Sequence, residues 1–134
     1  MSISRKHYTF HRTDTPTWDL LVTDSATGQG ADLSANIDIW FTAKTDISLS
    51  DSAATFQKSL GTTEIVLADQ TNPTTRGHCS VTLQSTDTLG CSVSQNTLLY
   101  YDWRIMRLVG GKATVVVLEE GTLLVTPVVT QTFT

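Results

Sequence analysis

The alternation of apolar and polar positions is clearest between Ile37 and Lys44. Ile37, Ile39, Phe41 and Ala43 alternate with Asp38, Trp40, Thr42 and Lys44, the period of a strand with one buried face. That parity sends Trp40 outward with the polar set. A polar excursion around Ser48–Ser52 follows and closes on Phe56. Asp51 stands where it can open a short helical turn, with Ala53 and Ala54 inside it.

The same alternation recurs on both sides of this stretch. Thr17–Asp24 reads as a strand with Trp18, Leu20 and Val22 inward, and Ser25–Gly30 has turn chemistry. Glu64–Ala68 is a short apolar strand, Asp69–Gly77 a loop, His78–Leu83 the next strand, and Asp87–Asn96 a polar connection. In the long strand Leu98–Leu108, Leu99, Tyr101, Trp103 and Ile105 face in, while Tyr100, Asp102, Arg104 and Met106 face out. Gly110–Gly111 marks a hairpin turn. Ala113–Leu118 returns, and Gly121–Thr126 adds a last strand with Leu123 and Val125 inward. Pro127 then ends ladder donation.

Seven or eight short strands with regular turn signals, and no helix of consequence, predict an all-β antiparallel sandwich. Residues 1–12 read as an extended basic N-terminal arm, 13–127 as the sandwich domain and 128–134 as a β-prone tail.

Length and composition narrow the picture. A chain of 134 residues suits one domain with one core. Its net charge of −4 gives no overall drive toward nucleic acid. No run approaches the ~18 apolar residues of a membrane span, and the first residues contain no apolar secretion signal. Folding in the cytoplasm is therefore the expectation, with neither nucleic acid nor membrane as a partner. The two cysteines make no disulfide framework: Cys79 falls in the alternating run with Val81 and Leu83, Cys91 lies in a Gly/Ser/Asn-rich loop, and both should be free thiols.

Candidate chemistry is sparse. His7, His11 and His78 are the available histidine bases, and two of them lie in the arm. No nucleophile elbow, phosphate-cradling glycine loop, zinc spacing or calcium loop is present. Neither catalysis nor a metal or other cofactor is expected. Interaction signals are stronger. Trp40, Tyr100, Met106 and Leu124 have outward parity although they are large and apolar, a composition enriched at partner surfaces. The arm concentrates Arg5, Lys6, His7 and Arg12 around Tyr8 and Phe10. It reads as a segment that orders on a neighbouring subunit, with Arg5, Lys6, Tyr8 and Phe10 as contact residues, so its deletion should leave a folded domain.

Several stretches, in order, carry a family resemblance. They are Trp40-Phe41-Thr42-Ala43-Lys44, then Ala53-Ala54-Thr55-Phe56-Gln57-Lys58, then Val81, Leu83, Asp87 and Thr88, then Tyr100-Tyr101-Asp102, and finally the closing run from Gly121 to Thr130. In this order they resemble the immunoglobulin-like β-sandwich of tailed-bacteriophage virion proteins, in particular the N-terminal domain of baseplate upper proteins. The match spans about residues 17–130. The Asp87–Asn96 loop is longer than in that family, carries Cys91, and lacks a glycine directly before the paired tyrosines.

The resemblance implies no activity, cofactor or catalytic residue. It implies a virion component, homo-oligomeric in the particle, that docks to other virion proteins: tail or baseplate and fibre subunits first, or the capsid as a decoration or cement protein. A carbohydrate- or host-receptor-binding module is the reading from another class, with Trp40, Tyr100 and the Asp87–Asn96 loop as platform and rim.

Overall fold

The computed structural model describes residues 4–24, 27–34 and 37–128. The end of the expected tail, residues 129–134, and the first residues of the expected arm, residues 1–3, lie outside the described residues. Eight strands follow one another: β1 (Ser4–His11), β2 (Thr17–Leu21), β3 (Ile37–Lys44), β4 (Phe56–Ser59), β5 (Ile65–Leu67), β6 (His78–Thr82), β7 (Thr97–Val109) and β8 (Lys112–Thr126). They form two sheets. The larger has the order β1-β8-β7-β3-β4, the smaller β2-β6-β5. All pairings are antiparallel except β1 with β8, which run parallel from Ser4 opposite Glu119 to His11 opposite Thr126. The fold is all-β, an immunoglobulin-like sandwich: the first and last strands lie side by side, and the chain crosses repeatedly between the sheets.

The core forms where inward faces meet. Trp18 on β2 stacks on Phe41 of β3 with ring centroids 5.4 Å apart. Phe41 in turn meets Trp103 at 4.9 Å, Tyr101 at 5.3 Å and Phe56 at 5.9 Å. The expected inward residues of β2, β3, β7 and the end of β8 are buried here, except Ile37, which is partly buried against the cluster, with Cys79, Val81 and Leu83 beside them. Cys79 and Cys91 are both buried free thiols. The excursion after β3 contains a 3-10 turn at Asp51–Ala53, with Ala54 as its C-cap. Lys44 holds that excursion, donating to the Leu49 carbonyl at 2.7 Å and pairing with Asp51 at 2.9 Å.

The structure corrects the reading of the N-terminus. Ser4–His11 is an edge strand of the larger sheet rather than an arm outside the sandwich. Phe10 belongs to the core, and Tyr8 packs against it with its ring 5.6 Å from that of Trp18. The physical reason is the edge that β8 offers. Its main-chain groups pair with β1, and Gly121 makes close approach possible: a Cβ there would stand 1.8 Å from the Lys6 carbonyl oxygen.

The basic side chains are engaged locally as well. Arg5 pairs with Glu120 at 3.1 Å and Lys6 with Glu119 at 3.3 Å. Arg12 is buried and donates to the carbonyls of Leu89 and Cys91 at 2.8 and 3.2 Å. The break at 13–16 is the crossover between sheets: the amide of Thr13 donates to the fully buried Thr88 hydroxyl at 2.7 Å, and Leu83 donates to the Pro16 carbonyl at 2.9 Å.

The last two strands also differ from expectation. Instead of a break at Glu119–Glu120, β8 is continuous over Lys112–Thr126. The register to β7 shifts between Trp103 and Arg104, which face Glu119 and Val117, so Leu118 is the extra residue of a bulge. Gly110 and Gly111, with φ of 57° and 80°, make the tight turn that joins the two strands.

Candidate functional site

The outward face of the larger sheet carries a groove of about 880 Å3. Register assembles its floor. Gln57, Thr42, Asp102, Glu120 and Arg5 stand in one row across all five strands. Lys44, Tyr100, Thr122 and His7 form the next row on one side, and Trp40 with Arg104 and Val117 the next on the other. Rows on one face of a strand are two residues apart, about 6.8 Å. Tyr100 and Trp40 therefore stand about 14 Å apart on opposite sides of the polar row, estimated from the same spacing. Ile47, 76% exposed, lines the rim from the excursion.

The groove is electrostatically self-contained. Arg104 pairs with Asp102 at 3.1 Å, Arg5 with Glu120 at 3.1 Å and Lys44 with Asp51 at 2.9 Å. Each arginine uses Nε for its pair, so further guanidinium N–H groups remain for a ligand. Burial raises the pKa of the Asp102 carboxyl, although Arg104 and Lys44 pull the other way. Lys44 beside Asp51 lowers that carboxyl's pKa. His7 bonds through Nδ1 to the Thr122 hydroxyl. Gln57 donates to the Thr42 hydroxyl at 2.9 Å.

A second surface lies at the far end of the β7–β8 hairpin. β3 pairs with β7 as far as Arg107, and β1 pairs with β8 from Glu119 onward. Among the described residues, Lys112–Leu118 thus have no ladder partner on the side away from β7. This edge carries no charged residue between Lys112 and Glu119. It exposes Val115 and Val116 by 50% and 40%, and Leu108, opposite Ala113 on β7, is 48% exposed.

The expected interface residues separate on this frame. Trp40 and Tyr100 line the groove together, and Arg5 joins them from β1. Met106 and Leu124 are half-buried on the outward side. Lys6 is exposed but tied to Glu119, and Phe10 is spent in the core. The Asp87–Asn96 loop does not line the groove; Asp87 and Cys91 face the framework instead. Ile47, Val115 and Glu120 were missed by sequence reasoning. Their signal was topological: Glu120 reaches the site because the β7–β8 register sets it opposite Asp102, and that register depends on the bulge between them and the hairpin turn. Among the described residues no group of three His, Cys, Asp or Glu side chains is placed to hold a metal ion. Nor does any helix among them have the length and apolarity to cross a membrane.

Taken together, fold and surfaces define an immunoglobulin-like sandwich with a self-neutralised outer groove and an apolar edge that is unpaired among the described residues. Neither a family model nor a curated protein matches the chain. Among solved structures, it is similar to AggA, the major subunit of aggregative adherence fimbriae type I from Escherichia coli. The identity is 7% and the TM-score 0.31, over 91% of this chain and 89% of that one. A likeness so distant carries no argument about function.

Proposed function

We propose that this protein is a non-enzymatic structural component of a tailed-phage particle, an adaptor that docks to neighbouring virion subunits in the tail or baseplate. The observation that carries the proposal is the edge of β8 that has no partner among the described residues. Seven residues, Lys112–Leu118, present main-chain donors and acceptors on a hairpin that extends past the pairing of β3 and β1. Edges of this kind are ordinarily blunted by charge, proline or a covering loop. Here the run Ala113–Leu118 is apolar apart from Thr114, which suits the addition of an extended segment from a neighbouring subunit. Copy number and symmetry then multiply modest interfaces. The order of motifs from Trp40 to Thr130 supports the phage assignment.

Mass spectrometry of purified particles should find the chain at a fixed copy number. Val116→Lys should lower that number while leaving the isolated protein folded, because Val116 is 40% exposed, beyond the stretch of β8 that packs in the core. Particles without the protein, or full incorporation of the Val116→Lys protein, would sink the proposal.

A further inference from the structure

We infer that the outer groove of the larger sheet is a binding site for a neutral oligosaccharide, which lies along it with rings stacked on Trp40 and Tyr100. Three features select that chemistry. First, the charged side chains of the floor and rim are Arg5, Lys44 and Arg104 against Asp51, Asp102 and Glu120, and each cation already has its anion within 3.1 Å. Such a floor offers a phosphate or a sulfated chain no uncompensated charge. It does offer a hydroxyl both acceptors, on the carboxylates, and donors, on the unused guanidinium N–H groups. Each sugar hydroxyl needs both.

Second, Trp40 and Tyr100 flank that polar row. An aromatic face takes the C–H face of a sugar ring while the ring's hydroxyls reach sideways to the polar row. The ~14 Å between the two aromatics, from strand spacing, demands an extended chain of several rings rather than a single one. The groove's volume of about 880 Å3 accommodates it. Third, an extended peptide is a poor occupant. Within the sheet, the main-chain groups of β3, β7 and the Glu119–Thr126 part of β8 are consumed by neighbouring strands on both sides. A peptide strand adds at an edge, not on a face. The inference does not rest on the phage assignment.

Trp40 is half-buried, whereas Trp18 and Trp103 are in the core, so a change in indole emission on titration reports this groove. The experiment titrates the full chain with hexasaccharides of glucose (β-1,4, β-1,3 and α-1,4), mannose, xylose and N-acetylglucosamine, by tryptophan fluorescence and calorimetry. A glycan array widens the panel. At least one neutral oligosaccharide should bind saturably, with emission changing in step with heat. Trp40→Ala and Tyr100→Ala should each weaken it tenfold or more, with urea midpoints close to wild type. Raising salt should leave the affinity within twofold.

Silence across array and titrations overturns the inference, as does binding that survives Trp40→Ala. Preference for a sulfated or phosphorylated glycan with strong salt dependence overturns the neutral class. Protection of Trp40 from acrylamide by self-association, without sugar, would assign the groove to a second copy instead. Particle incorporation of Trp40→Ala, scored separately, distinguishes loss of this site from failure of the adaptor reading.

Discussion

Truncating Lys58 to alanine removes the cation from between two carboxylates. The side chain is buried at the edge of the larger sheet, with Nζ 2.9 Å from Asp87 Oδ1 and 3.2 Å from Glu64 Oε2. Asp87 is the better buried partner. Its other oxygen accepts from the Gln84 amide at 2.7 Å, closing the capping box of a 3-10 turn at Ser85–Thr88. Removing one member of a buried pair costs ~3–5 kcal/mol, because the other charge stays behind uncompensated. Glu64 reaches water and recovers hydration, so the lower end, about 3 kcal/mol, is expected. For a chain of this size that is a fall in Tm of about 10 °C. Urea unfolding followed by tryptophan emission should show a lower midpoint at unchanged slope.

Replacing Lys58 and its better buried partner, Lys58→Met with Asp87→Asn, should recover all but about 1 kcal/mol, since the charge that remains, on Glu64, reaches water. The pH dependence follows from the signs. Burial pulls the Lys58 pKa down, but its hydrogen bonds to Asp87 and Glu64 outweigh this and raise it above 10.5. Its contribution is complete below that value and is lost as pH rises through the higher folded pKa. Burial raises the Glu64 pKa, but hydrogen bonds from Thr62 and Lys58 outweigh this and bring it below 4.5. That contribution is complete above 4.5 and is lost as pH falls. The gap between wild type and Lys58→Ala should thus be flat at neutral pH and shrink at both extremes. A cost under about 1 kcal/mol at pH 7, or a double variant no more stable than Lys58→Ala, would refute the reasoning.

Gly121→Ala, whose methyl would meet the Lys6 carbonyl oxygen at 1.8 Å, should cost at least ~2 kcal/mol and strip β1 amides of hydrogen-exchange protection. Gly90→Ala, with open space around it, should stay within ~0.5 kcal/mol. Deleting residues 1–12 removes Phe10 from the core and Arg12 from the Leu89 and Cys91 carbonyls, so the truncated chain should lack the dispersed proton NMR spectrum of the full chain; a dispersed spectrum would restore the separable arm. Desolvation pushes the Cys79 thiol up to about 12 and also raises that of Cys91, so iodoacetamide at pH 8 should label neither in the native protein and both in urea, read by mass.

The parity of the long strands was legible because period-2 alternation is a local signal. It placed Trp18, Phe41, Tyr101 and Trp103 in the core and Trp40 and Tyr100 outside it. Three features were not legible, each for a different reason. The partner of β1 depends on a contact between residues more than a hundred positions apart, and the charge of Arg5, Lys6 and Arg12 read as an arm for a neighbouring subunit because Glu119, Glu120 and the Leu89 and Cys91 carbonyls were invisible as partners within the chain. The bulge at Leu118 reverses parity inside β8, so alternation breaks there and the sequence reads as two strands where one runs. Glu119 is buried against expectation for a carboxylate, because Tyr101 donates to it at 3.0 Å and Lys6 pairs with it; burial first, and then the Glu119 charge and hydrogen bond, drive the pKa of the Tyr101 phenol upward.

The residues that carry the family resemblance divide along the same parity, and the division bears on function. Phe41 and Phe56 stack in the core, Lys58 and Asp87 form the buried ion pair, Thr88 anchors the crossover at Thr13, and Tyr101 holds Glu119. Each fixes the sandwich, and none of them needs a partner to be useful. A resemblance built on such residues speaks to the framework and is silent on what the framework meets. Recognition has to be read from residues outside the core: Trp40 and Tyr100 on the outward face at the groove, and Val116, which stands opposite Ile105 yet stays 40% exposed on the edge that is unpaired among the described residues. Because those side chains add little to the core, substitutions there should separate binding from folding, and substitutions at Lys58 or Gly121 should not. A variant of Trp40 that unfolded the domain would break this division, since it would put an outward residue into the framework.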